Sequence, residues 1–373
     1  MKYGLIVNLR TQNIGDDIQC YAMQQFLPHL DYIIDREHLD SFYTTTGEKV
    51  AAFLGGWYLH KPLNWPPSPF LKLLPISFHM TTVEAKKYLA LMDYGAKWLR
   101  KFTEGIGCRD RGTMRELKDL KIKAYLSGCF TLTIEPLADV EPHGKVVLTD
   151  LSDELVKFVK RRTTKDTVIV SHDNKVPMMP KEAVDFAAQY RRARRTPTSH
   201  YPRILDRAYH GSCYPGSWGY RYTLVEGLLR FYQGASLVVT SRLHTALPCL
   251  ALGTPVLLVK DEVDLNNYRF STFTPYLNYT TPEDLLSRTY SYDFDNPTPN
   301  PAGFKKKFVD KMKPLCTKFI ESCENAPAEP PLDVELWLDG MQKGLRMKRM
   351  MQLLMPEAEV PDPKLLNPVL YRF

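Results

Sequence analysis

Short apolar runs separated by polar stretches of helical length set the pattern of this chain. Residues 3–8, 50–54, 106–109 and 122–126 read as buried strands, and 18–27 and 114–120 as helices between them. The stretch 81–103 also carries a helical period. A second series starts at Lys145, with strands at 146–149, 167–171 and 237–240 and helices at 153–162 and 222–232. It ends in a miniature β-α-β unit: Ser241-Arg242-Leu243-His244 leads into a helix, Gly253 stops it, and a strand opens at Pro255. This alternation predicts an α/β fold of two Rossmann-like domains facing a cleft. Pro136, Pro142 and Gly144 interrupt the pattern, which places the domains at 1–139 and 140–330. A lysine-rich helix at 304–323 and a linker at 326–331 precede the tail 331–373. There Trp337, Leu338, Met341, Leu345 and Leu354 alternate with Lys343, Arg346, Lys348 and Arg349. The tail is expected to pack back on the first domain, with contact to a membrane surface as the alternative.

A length of 373 residues suits two ordinary domains better than one core. With 44% hydrophobic and 24% charged residues, neither a disordered nor a fibrous class fits. A net charge of +7 suits an acidic ligand without choosing between a small anion, an anionic membrane and nucleic acid. The runs Arg191-Arg192-Ala193-Arg194-Arg195 and Lys160-Arg161-Arg162 have no RNA-binding signature beside them, so they read as solvated faces and no nucleic-acid partner is expected. The seven cysteines form no CxxC pair, which argues against structural zinc and a disulfide framework. No Walker loop or GxGxxG fingerprint occurs. Apolar runs all stop short of the roughly 18 residues a spanning helix needs, and a strand opens at residue 3. The expectation is a cytoplasmic enzyme without a signal peptide, working in solution or at the inner membrane surface.

In open α/β sheets, ligands bind beyond the carboxyl ends of the strands, where helix N-termini offer unpaired N–H groups. At that place this chain carries Arg242, a permanent cation with a planar fork, and His244, which exchanges a proton near neutral pH. The pair reads as an anion site with a proton donor, against the plainer alternative of an ion pair and a helix cap. His172 ends the strand at 168–171 and faces the same predicted cleft. Asp16 is suited to cap the first helix. Gly55 and Gly56, at a strand end, let the backbone turn or approach a ligand closely. Trp57 and Trp65 offer faces for stacking on sugar rings or, more simply, for packing a rigid loop. Arg109 and Arg111 flank another strand end, where each serves an anion or pairs with Asp110 or Glu116.

Four segments in order carry a family resemblance. They are Asn13-Ile14-Gly15-Asp16-Asp17-Ile18, the Gly55-Gly56 strand end, Ile106-Gly107-Cys108-Arg109-Asp110-Arg111 with Ser127-Gly128-Cys129, and Thr240-Ser241-Arg242-Leu243-His244 with Leu252-Gly253-Thr254-Pro255-Val256. Together they resemble the polysaccharide pyruvyl transferases. The resemblance implies a fold similar to the GT-B glycosyltransferases and transfer of pyruvate from phosphoenolpyruvate to a saccharide as a ketal, with no metal or further cofactor. It implies that Arg242 grips the donor's anionic groups, that the Leu243 N–H assists, and that His244 is the general acid. Arg221 and His172 are further donor-side candidates. Asp16 would orient or deprotonate the acceptor from the first domain, with Asn13, Asp17, Gly55, Gly56, Trp57 and Arg109 on the acceptor side or lining the cleft. Trp57 stands where family members often have a third glycine. A GT-B-like glycosyltransferase with a nucleotide-sugar donor and a non-catalytic saccharide-binding protein are the competing readings.

Overall fold

In the computed structural model, residues 1–9, 11–59, 65–80, 93–172, 179–193 and 218–341 are described. The basic run at 194–195 and the tail from 342 lie outside them, as does much of the helical stretch expected at 81–103. Every strand pairing is parallel among the described residues. The chain forms two compact units, one of Met1–Asn8, Met23–Gly128 and Met312–Phe373, the other of Leu9–Ala22 and Cys129–Lys311. The division falls after Gly128 rather than near 139, and residues 9–22 cross into the second unit.

In the first unit the strands β1 (Lys2–Val7), β2 (Tyr32–Asp35), β3 (Val50–Phe53) and β5 (Leu71–Leu74) form one sheet in the order β2-β1-β3-β5. A second sheet, β4-β6-β7-β8, contains β4 (Gly56–Tyr58), β6 (Phe78–Met80), β7 (Ile106–Cys108) and β8 (Ala124–Leu126). Two four-stranded sheets thus stand where a Rossmann-like domain would carry one. Trp65 is 4% exposed and packs edge-on against Trp98, with Tyr58 and Phe78 around it. It is core, and the sugar-stacking reading of this residue is set aside. Trp57 keeps 37% of its surface exposed. In the tail's described part, the Trp337 ring meets Phe70, and the Leu332 N–H donates to the Gly47 carbonyl.

The second unit is built on one five-stranded sheet, β10-β9-β11-β12-β13, from β9 (Val146–Thr149), β10 (Thr167–Val170), β11 (Leu237–Thr240), β12 (Val256–Val259) and β13 (Asn278–Thr280). Val146, Leu148, Leu237, Val239, Leu257 and Val259 point into one core cluster with Leu155, Val159 and Phe294. The alternate residues Val147, Val238 and Leu258 are buried too, as expected of a parallel sheet covered on both faces. In chain order this is the 2-1-3-4-5 arrangement, whose crevice opens at the carboxyl ends of the first and third strands. Here those strands are β9 and β11. The helix Leu243–Leu252 leaves β11 and ends at Gly253, whose φ of 80° is the left-handed conformation glycine adopts without steric cost.

Candidate active site

A recess of about 150 Å³ lies at that crevice, within the second unit. Ser241, Arg242, Leu243 and His244 line it from the end of β11, His172 from the end of β10, and Asn13 from the segment that crosses over. Lys260, Asp264, Arg269 and Phe270 complete the wall. Arg242 occupies the N-cap position of the Leu243–Leu252 helix, so the opening amides of that helix and the guanidinium stand together. Its Nε donates to Asp150 Oδ2 at 3.0 Å, which orients the fork and leaves both Nη groups available to a ligand. The arginine does form an ion pair, but within one unit and with 40% of its side chain still exposed.

Asp150 organises the crevice, and nothing in the sequence pattern singled it out. It follows β9 with φ of 51°, accepts from the His172 N–H at 3.0 Å and the Ser171 hydroxyl at 2.8 Å, and receives Ser241 Oγ on its carbonyl at 2.5 Å. One carboxylate therefore ties three strand ends together. His172 is 1% exposed, with Nε2 2.8 Å from the Tyr232 hydroxyl and 3.3 Å from Thr245 Oγ1. Burial pushes its pKa down to about 4; Asp150 opposes this and Arg242 adds to it. His172 is a neutral hydrogen-bonding wall at physiological pH. Burial likewise raises the Tyr232 phenol well above its ordinary value.

His244 is 6% exposed and is braced by the crossing segment. Its Nδ1 is 3.4 Å from Gln19 Nε2, and a Cβ on Gly15 would come within 3.0 Å of the His244 Cβ. The helix Ile14–Gln24 begins a turn earlier than the hydrophobic pattern suggested. Its cap is Asn13, whose Oδ1 accepts from the Gly15 N–H at 2.9 Å, so the capping role expected of Asp16 belongs to Asn13. Asp16 accepts from Thr11 Oγ1 at 2.8 Å and is not among the residues lining the recess. It belongs to the same unit as His244, which corrects its placement in the first domain: residues 9–22 leave the first sheet and pack in the second unit.

Asp17 and Arg221 form a buried two-pronged ion pair, Nε to Oδ2 at 3.0 Å and Nη2 to Oδ1, each side chain 1% exposed. Arg221 does not line the recess. The carboxylate beside it turns this cation into a lock between the Ile14–Gln24 and Trp218–Gln233 helices. Gly55, Gly56, Trp57 and Arg109 lie in the first unit. Gly56 has φ of 117° and open space where a Cβ would stand. Arg109 is 2% exposed, with Nε 3.8 Å from Asp110 Oδ2, the salt-bridge alternative. Burial alone would raise the Asp110 pKa, but the 2.6 Å bond to His79 Nδ1 and the Thr113 N–H hold the carboxylate well below its usual range.

The cationic side chains of the recess outnumber the anionic ones. Arg242, Lys260 and Arg269 face Asp264, itself 2.6 Å from Lys260, with Asp150 behind Arg242. With a helix start added, the arrangement is suited to an anion and sets an imidazole beside it.

A family model described as polysaccharide pyruvyl transferase matches residues 13–261. That span includes the Asn13 cap and the strand β12, and it ends one residue beyond Lys260. Among solved structures, the chain is similar to a functionally uncharacterised protein of Klebsiella pneumoniae subsp. pneumoniae, at 12% identity over 75% of this chain and 93% of that one, with a TM-score of 0.39. Comparison with curated proteins gives no significant match.

Proposed function

The chain belongs to the polysaccharide pyruvyl transferase family and is a transferase; from that premise we propose that it moves pyruvate from phosphoenolpyruvate onto a saccharide as a ketal, in the synthesis of a polysaccharide or cell-surface glycan. The observation that carries this reading is the joint presentation of Arg242 and His244 at one helix start in a cation-rich recess. Phosphoenolpyruvate bears a phosphate and a carboxylate around a carbon-carbon double bond. The Arg242 fork and the Leu243 amide suit one anionic group. His244, protonated, delivers its proton to the terminal methylene carbon, and cationic character develops at C2. One acceptor hydroxyl adds there, and a second displaces phosphate and closes the ketal. Of the two hydroxyl protons, one replaces that given by His244 and the other leaves with phosphate. Neutral His172 supports the donor by hydrogen bonding, without competing for that proton.

The GT-B-like two-domain architecture is part of the same proposal, as is a reaction that needs no metal or further cofactor. No helix among the described residues is long and apolar enough to cross a membrane. Work in the cytoplasm or at the inner membrane surface, on a lipid-linked precursor, is the proposed setting.

The assay incubates the protein with phosphoenolpyruvate and a panel of β-linked saccharides and follows phosphate release together with an acid-labile mass gain on the sugar. H244A should lower turnover on the order of 10² to 10⁴-fold. R242A should weaken donor binding as well. Silence across the panel, beside an active family enzyme, would remove the reading.

A further inference from the structure

Lys260 directly follows β12, and its ammonium is 2.6 Å from the Asp264 carboxylate one turn on and 5.9 Å from the centre of the Phe270 ring. The Arg269 guanidinium lies 5.7 Å from the same ring. All four side chains wall the recess that holds Arg242 and His244. The register is informative. β11 and β12 are neighbours with Thr240 opposite Leu258, and Arg242 and Lys260 each come two residues later, so the two cations leave adjacent strand ends at the same level. Adjacent strands are about 4.8 Å apart, a spacing that a small molecule with an anionic group at each end can bridge.

We infer that Lys260 is the second anion anchor of this recess and that Asp264 is its resident counter-ion, displaced when a ligand carrying two anionic groups binds between Lys260 and Arg242. The inference rests on the donor reading above, because phosphoenolpyruvate is such a ligand. The side chains of Lys260 and Asp264 are 26% and 40% exposed, and a pair so placed is weakly held. An incoming carboxylate or phosphate therefore competes with Asp264 on even terms when its other end is already fixed at Arg242. A ligand with a single anionic group has no such second hold and gains nothing by displacing the carboxylate. The Lys260–Asp264 pair selects for donors with two charged ends over inorganic phosphate, the product, and over pyruvate. Arg269, at the exposed rim, adds attraction rather than registration.

Calorimetric titration of the full chain with inorganic phosphate, pyruvate and phosphoenolpyruvate tests this. Wild type should bind phosphoenolpyruvate more tightly than either ligand with a single anionic group. K260Q should lose about tenfold or more in phosphoenolpyruvate affinity, the worth of one charge-assisted hydrogen bond, with phosphate affinity unchanged within about twofold. K260R should retain the preference, and D264N should bind both phosphate and phosphoenolpyruvate more tightly by removing the internal competitor. Equal loss for all three ligands in K260Q, no loss, or an unimproved D264N overturns the anchor. So does a wild type without preference for phosphoenolpyruvate. A wild type that shows the preference, loses it in K260Q and yet pyruvylates no saccharide would leave the anchor in place and remove the transferase reading alone.

Discussion

Asp17 and Arg221 show what one residue can hold. Both are withdrawn from water, and the guanidinium meets the carboxylate in a two-pronged geometry while lying 5.6 Å from the Trp218 ring centre. Removing charge from one partner strands the other in a medium that solvates it poorly. D17N should therefore cost about 3–5 kcal/mol, read as a lower midpoint in urea unfolding. A D17L/R221M double replacement should recover most of that loss, because a well-packed apolar pair of similar volume does without the desolvation penalty. Arg242 follows different rules. Its side chain is 40% exposed, and Asp150, 10% exposed, keeps the His172 N–H and the Ser171 hydroxyl as donors without it, so R242A should change ligand affinity more than stability.

Among the elements, the Ile14–Gln24 helix does the most for the site while contributing only Asn13, at its cap, to the recess wall. The Gly15 backbone lies against His244, where an added Cβ would meet the His244 Cβ at 3.0 Å and Asn13 Oδ1 at 2.9 Å. Gly15→Ala should displace the imidazole by a few tenths of an ångström. Overpacking of this kind costs about 1–3 kcal/mol. The expected outcome is a folded protein by circular dichroism whose turnover falls more than its donor affinity. Strands β9, β11 and β12 were legible as apolar runs, since burial on both faces removes the need for alternation, whereas β13, of which only Thr280 is buried, left no such run. The helix too could be read from its period, but not its partner: a local pattern shows which face is apolar and not which core receives it. Arg242 and His244 were legible because the strand end and the helix start are written side by side in the chain. Lys260, Asp264, Arg269 and Asp150 carry no such local mark; only the order β10-β9-β11-β12-β13 brings them to one crevice. In the first unit, short strands such as β4 and β6, three residues each, fall below the length at which periodicity speaks.

For the molecule as a whole, acid should act through His172. Its pKa is 6.5 when unfolded and about 4 in the native state, so below pH 6.5 the unfolded chain takes up a proton that the folded one refuses. Stability is then lost as pH falls from 6.5 toward 4, by roughly 3 kcal/mol if the full shift is expressed, and levels off below that. Denaturant titrations at pH 7 and pH 5 should show a smaller loss for H172N than for wild type. An equal loss in both would mean that the imidazole is protonated in the folded protein.

The crossing of residues 9–22 into the second unit also has a consequence in time. Asp17 leaves the ribosome 204 positions ahead of Arg221, and translation at about 5–20 residues per second makes that a wait of roughly ten to forty seconds. Throughout it, an amphipathic nascent helix bearing an unmatched acid has no place to dock. The crevice gathers Asn13, His172, Arg242, His244 and Lys260, so it can close only after the chain has passed residue 260, and it is among the later parts of the second unit to assemble.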